Sequence, residues 1–330
     1  MKPSSTCLKH YSRSIFNPKN YRPHTIYESL PFTPKSLLCI NTPTRIDTAS
    51  SQLLVLTKKY PNLQIVSVTL DMKYVHAIGE VWFDELIGIE SMYFSNKLWP
   101  DDTKFSAWIH NNKIDLNLSI NLHNFKAKLF YNMIVKNPSS LKFSNYLSHL
   151  EISLPFDEKT TKFQIKSQLK PLTPRLKITS EIKDRCFIKS FNNKNAFLMF
   201  ELLQKQNEEP GKEYKYVLEI SSLSKTERFE LFPIPSTRSL FILNRNVDFL
   251  PNDKLYARIL QNCVNDVKFP KVNNGLVIDC FDMSNTDLRS SGEDVVVENS
   301  VIIGSGSGGF HVDDVAFASF GDYVKVESVQ

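Results

Sequence analysis

Residues 36–41 (SLLCIN) and 63–70 (LQIVSVTL) are two apolar, β-prone runs, and one helical stretch fills the interval between them. This arrangement limits the fold more than any other feature of the chain. Asp47 or Thr48 is placed to cap a helix carrying Leu53, Leu54 and Leu56, and Pro61 stops it after Tyr60. Strand, helix and strand at this spacing form one βαβ unit with a parallel pair. The pattern does not repeat, so a sheet of alternating β and α elements is not expected.

Downstream the chain turns β-rich. Phe125, Ala127, Leu129, Tyr131, Met133 and Val135 alternate with mostly polar residues, the period of a half-buried strand. Short strands are expected at 105–109, 114–120, 162–169, 175–182 and 185–191, and again at 214–220, 227–232 and 239–243. Leu255, Ile259, Leu260 and Cys263 have the spacing of a helix face, and residues 146–150 read as a short helix. Residues 196–203 fit either state. Glu208-Glu209-Pro210-Gly211-Lys212 is the clearest turn or linker. It divides the body into an α+β half (28–206) and a β-rich half (207–330). The expected class is α+β, with large, mostly antiparallel sheets, one N-terminal βαβ unit and few helices. No apolar run approaches the roughly 18 residues of a transmembrane helix, so no membrane-spanning segment is expected.

Residues 1–27 hold Lys2, Lys9, Arg13, Lys19 and Arg22, many serines, and no acid. Between Pro3 and Pro18 a short helix would place Leu8, Tyr11 and Ile15 on one face and Lys9 and Arg13 elsewhere. Basic, serine-rich and acid-free, this is the composition of a mitochondrial import segment, disordered or cleaved, and it implies the matrix. The alternative is a basic tail with no address. Residues 1–46 carry seven of the 40 Lys and Arg and one of the 35 acids, which leaves the rest of the chain at net −1. The overall charge of +5 is therefore no argument that the body binds nucleic acid.

No C-x-x-C pair occurs among Cys7, Cys39, Cys186, Cys263 and Cys280, which excludes zinc ribbons and thioredoxin-type centres. G-x-S-x-G, H-E-x-x-H and the P-loop are also absent. Gly304, Gly306, Gly308 and Gly309 satisfy G-x-G-x-x-G after a strand, but no helix or distal acid follows, so a dinucleotide site is rejected. A flexible loop, or one whose N–H groups approach a small anion, remains. His311 and Asp313 share a strand face beside it, two ligands where a metal needs three or four, so no metal site is expected. Asp84, Glu85 and Glu90 lack a partner at fixed spacing. No catalytic residue and no cofactor is assigned.

The body's charge is polarised. Residues 159–194 contain ten basic groups, among them Lys162, Lys166, Lys170, Arg175 and Lys177, against two acids, with Phe163, Phe187 and Phe191 interleaved. That composition suits RNA phosphates and bases. Residues 279–330 carry ten acids against Arg289 and Lys325. The blander reading is that the two regions face each other or solvate opposite ends, because no RNP or GXXG motif is present.

The opening unit (SLLCINTPTRIDTASSQLLVLTKKYPNLQIVSVT), with WFDELIGIESMYFS after it, and the stretch VVENSVIIGSGSGGFHVDDVAFASFGDYVKVES together resemble the FIST (F-box and intracellular signal transduction) domain family, fungal members in particular. The glycine-rich middle of that family has no counterpart, since only Gly79 and Gly88 precede Gly211. The resemblance implies a domain that binds a small ligand or a protein partner, at Gly304, Gly306, Gly308, Gly309 and His311. Two further expectations stand beside it: an RNA- or ribosome-associated mitochondrial factor using 159–194, and an enzyme whose site forms only in three dimensions.

Overall fold

The computed structural model describes residues 8–42, 45–69, 77–94, 106–110, 113–117, 133–137, 140–144, 148–156, 161–179, 187–223, 226–242, 254–263, 275–279, 294–302, 310–312, 315–317 and 322–328. In chain order the first elements are β1 (His10–Phe16), α1 (Pro23–Ser29), β2 (Ser36–Asn41), α2 (Ile46–Lys59), β3 (Gln64–Thr69), β4 (Ala77–Phe83) and β5 (Gly88–Phe94). There follow β6 (Ser106–His110), β7 (Lys113–Asn117), β8 (Met133–Asn137), β9 (Ser140–Ser144), β10 (Ser148–Ser153), β11 (Thr161–Ser167), β12 (Lys170–Pro171) and β13 (Leu176–Lys177). Next come β14 (Phe187–Ile188), β15 (Ser190–Phe191), β16 (Lys194–Asn195), α3 (Ala196–Asn207), β17 (Tyr214–Ser221), β18 (Thr226–Ile234), β19 (Ser239–Ile242) and β20 (Tyr256–Cys263). The last are β21 (Gly275–Asp279), β22 (Val295–Glu298), β23 (Ser300–Ile302), β24 (Phe310–Val312), β25 (Val315–Phe317) and β26 (Asp322–Ser328). Few helices and several mostly antiparallel sheets make this an α+β protein.

A seven-stranded sheet in the order β22-β1-β4-β2-β3-β8-β9 contains the βαβ unit, with β2 and β3 parallel and in register from Ser36↔Gln64 to Asn41↔Thr69. One face is covered by α1 and α2. Ala49, Leu53 and Leu56 of α2 pack on Leu37, Cys39, Ile65, Ile78 and Trp82. The other face is buried as well: Ser12, Ser14, Leu38, Val66 and Val81 are all closed to solvent. There β23 lies against β1 and β4, and Asn299 N donates to Ser12 O at 2.7 Å. β23 belongs to a four-stranded sheet, β11-β26-β21-β23.

A thirteen-stranded sheet runs β12-β20-β17-β18-β25-β24-β6-β7-β10-β5, with β13 on β20 and β19 joining β18 to β14. Helix α3 packs on one face, over Tyr216, Leu218, Phe229, Leu240 and Ile259. Asn195 caps it, accepting from Leu198 N at 2.9 Å. β15 and β16 form a small hairpin turned by Asn192 and Asn193, both at positive φ.

Several expectations are corrected. Residues 10–16 form a strand, not part of a helix. Their serines, small enough for a crowded sheet interface, face inward, so the strand alternation is hidden in polar residue types. The apolar set around Ile259 is β20, flanked by β17 on one side and β12 and β13 on the other, with Ile259 and Leu260 buried on opposite faces. When both faces of a strand are buried, its spacing imitates a helix. Residues 148–153 are β10 rather than a helix end, paired with β5 and β7. Helix α2 starts at Ile46, before the expected caps. Residues 196–207 settle as helix. The division at 207 does not follow the sheets: β1 pairs with β22, β11 with β26, and β12 with β20. Of the run at 125–135, Met133 and Val135 lie in β8, and the earlier positions fall outside the described residues.

Candidate functional site

The parallel pair ends in a buried polar knot. Asn41 and Thr69, the last residues of β2 and β3, stand opposite each other, and Thr69 Oγ1 donates to Asn41 Oδ1 at 2.9 Å. Asn41 Nδ2 in turn donates to Ser67 Oγ and Val68 O, each at 3.3 Å. Thr42 follows, buried, and holds the start of β4: its N–H donates to Ala77 O at 3.1 Å, and Ala77 N donates to Thr42 Oγ1 at 3.2 Å. Arg45 N then donates to Thr42 O at 2.9 Å, which closes the turn into α2.

Helix α2 has no side-chain cap, so its first N–H groups receive no side-chain acceptor at the cap position. Arg45 stands at that cap, and its Nε is buried with no hydrogen-bond partner. A buried guanidinium N–H without an acceptor is uncommon in native proteins. The carboxyl end of a parallel pair, where a helix begins, combines outward-pointing donors with the positive end of the helix dipole. Asp47, in the first turn, is exposed. The arrangement offers an anion two kinds of donor, backbone and guanidinium.

A second polar row crosses the same sheet two residues before Asn41. Arg13, Glu80, Cys39 and Ser67 are mutual register partners across β1, β4, β2 and β3. Arg13 Nε meets Glu80 Oε2 at 2.6 Å, with Glu80 fully buried. The Tyr21 hydroxyl lies 3.7 Å from Cys39 Sγ. Burial first, then the Glu80 charge, pushes the Cys39 thiol up to about 12. It stays protonated near neutrality and is no nucleophile. Burial also lifts the Tyr21 phenol well above its ordinary value. This row is a structural clamp rather than reactive machinery.

The predicted sites fare differently. Gly304, Gly306, Gly308 and Gly309 lie outside the described residues, as do Asp313 and Asp314. His311 sits in β24, opposite Trp108 of β6 and Ala316 of β25. Lys162, Lys166, Lys170, Arg175 and Lys177 are all exposed, but the sheets do not gather them on one face. Lys170 pairs with Gln261 and Lys177 with Tyr256, positions of opposite parity on β20, so their side chains leave opposite faces. Lys162 stands opposite Glu327 of β26 and Lys166 opposite Tyr323, so basic β11 does meet part of the acidic C-terminal region. Phe191 is fully buried and is closed to bases. Among the described residues no three His, Cys, Asp or Glu side chains gather as metal ligands, and no helix is long and apolar enough to cross a membrane. Arg45 has no motif around it, and nothing in the sequence singled it out. Comparison with known protein families, with curated proteins and with solved structures finds no match.

Proposed function

We propose that this chain is a FIST-type binding protein that takes a small anionic ligand where β2 and β3 end and α2 begins. The observation that carries the reading is the buried, unpartnered Nε of Arg45 beside an uncapped helix start. The FIST resemblance is supported by a spatial fact. Its two stretches are more than 200 residues apart in the chain, yet β22 lies in the same sheet as β2, β3 and β4. A bound carboxylate or phosphate would accept from Arg45 and from the first N–H groups of α2. A thermal-shift panel of amino acids, carboxylates and nucleotides tests this. A ligand held at 100 times its Kd stabilises by about 2.7 kcal/mol, a shift of several degrees. No response across the panel would refute the reading.

A second reading, an RNA-associated protein, is favoured by the exposure of every described basic residue between 161 and 194. Neutralising Lys162, Lys166 and Lys170 together is expected to weaken RNA binding and flatten its salt dependence. Unchanged binding would remove that segment from the reading.

A further inference from the structure

Three phenylalanines stand in one row across three neighbouring strands. Phe187 of β14 is the register partner of Phe241 of β19, and Phe241 is the partner of Phe232 of β18. Direct cross-strand partners share a face, so all three rings leave the same side of the sheet. It is the side opposite α3, because their neighbours Ile188, Leu231, Leu240 and Ile242 all point into the core beneath that helix. The rings are not sealed. Phe187 and Phe241 are half-buried, 5.2 Å apart between centroids, and Phe232 is 36% exposed. Burial alone does not explain such a row, since apolar side chains on that side of the strands remain in contact with water.

Charge at the row's end narrows the partner. Lys189, two residues beyond Phe187, is exposed. Arg238 is exposed in the turn that joins β18 to β19, in the left-handed conformation (φ 46°). Asn195 Nδ2 contacts Arg238 O at 3.5 Å, which brings exposed Lys194 to the same end. On this face Glu230, half-buried, lies two residues before Phe232 and at the other end, and Glu219 beyond it is paired with Arg228 at 2.8 Å.

We infer that Phe187, Phe241 and Phe232 form a stacking platform for single-stranded RNA, with Lys189 and Arg238 placed for its phosphates. Strands about 4.8 Å apart set three rings over about 10 Å. Three bases in a continuous stack, at about 3.4 Å per step, span about 7 Å, so bases seated one to a ring are drawn apart rather than left in a continuous stack. A sheet that presents aromatic rings in this way binds two or three bases by stacking, with little sequence preference. The inference rests on the RNA reading above, but on different residues from Lys162, Lys166 and Lys170.

The test uses the full chain and a fluorescently labelled oligouridine 12-mer, followed by anisotropy over a range of salt. Phe232→Ala is expected to weaken binding about fivefold or more and to leave the salt slope alone. Phe232→Leu keeps an apolar side chain and removes the ring, and is expected to show the same loss with an unchanged melting temperature. Lys189→Ala with Arg238→Ala is expected to lower the slope by about 1.4. Binding lost on neutralising Lys162, Lys166 and Lys170 but untouched by either Phe232 variant would leave RNA association standing and overturn the platform. No binding of the 12-mer overturns both. Phe232→Leu that alters self-association in sedimentation while RNA binding is unchanged would assign the row to contact between copies and overturn it too.

Discussion

Arg13 and Glu80 are joined twice, as register partners of β1 and β4 and through an Nε–Oε2 contact of 2.6 Å, with Glu80 fully buried. Removing one partner strands the other charge inside the sheet. Glu80→Ala is expected to destabilise the protein by about 3–5 kcal/mol in urea unfolding, while replacing both partners by apolar residues (Arg13→Met with Glu80→Leu) recovers most of that loss. A double variant as unstable as Glu80→Ala would show that the pair does more than satisfy itself.

The same strand bears on the N-terminal segment. Ile15 and Phe16 are buried, at about 1.5–3 kcal/mol each. Deleting residues 1–17 loses these and orphans Glu80, a sum comparable with the whole stability of a typical domain. The truncated chain is expected to lose its cooperative thermal transition. Import directed by residues 1–27, which a fluorescent fusion of residues 1–30 would reveal, is then expected to leave His10–Phe16 on the mature chain. A mature N-terminus beyond Phe16 on a protein that melts cooperatively would contradict this.

His10 gives the fold a pH dependence of known sign. Burial against Phe83 and Phe156 holds its imidazole below the ordinary value of 6.5, although a backbone contact with Gly275 and the Asp84 charge pull upward. The unfolded chain therefore takes up the proton first. Its contribution to stability is complete above 6.5 and is lost as pH falls from 6.5 through the lowered folded value. Melting temperature is expected to drop across that window, and His10→Phe is expected to drop less. Equal slopes for the two proteins would remove His10 as the cause.

How far the sequence foretold these features depends on what surrounds each element. The βαβ unit was readable because Pro61 and the polar residues around Asp47 punctuate it, and because both parallel strands, buried at every position, centre on β-prone apolar residues (Leu37, Leu38, Cys39 and Ile40; Ile65, Val66 and Val68). β1 and β20 were not, for opposite reasons. β1 buries Ser12 and Ser14 where an alternating pattern would show apolar residues, and β20 buries both faces, so no alternation exists to detect. The basic run at 159–194 was visible as composition. Its dispersal was not, because which face a lysine leaves depends on strand register with β20 and β26, more than 70 residues away. Arg45 was invisible for the same reason: an unpartnered donor is a property of packing, not of spacing.

The most direct measurement compares the thermal shift of the wild-type chain and of Arg45→Gln with the strongest anion from the panel. Gln keeps a polar side chain and removes the guanidinium. The wild type is expected to gain several degrees at saturating ligand, and Arg45→Gln to melt normally without ligand and gain little with it. An equal shift in both proteins would place the ligand elsewhere and contradict a site at the end of β2 and β3.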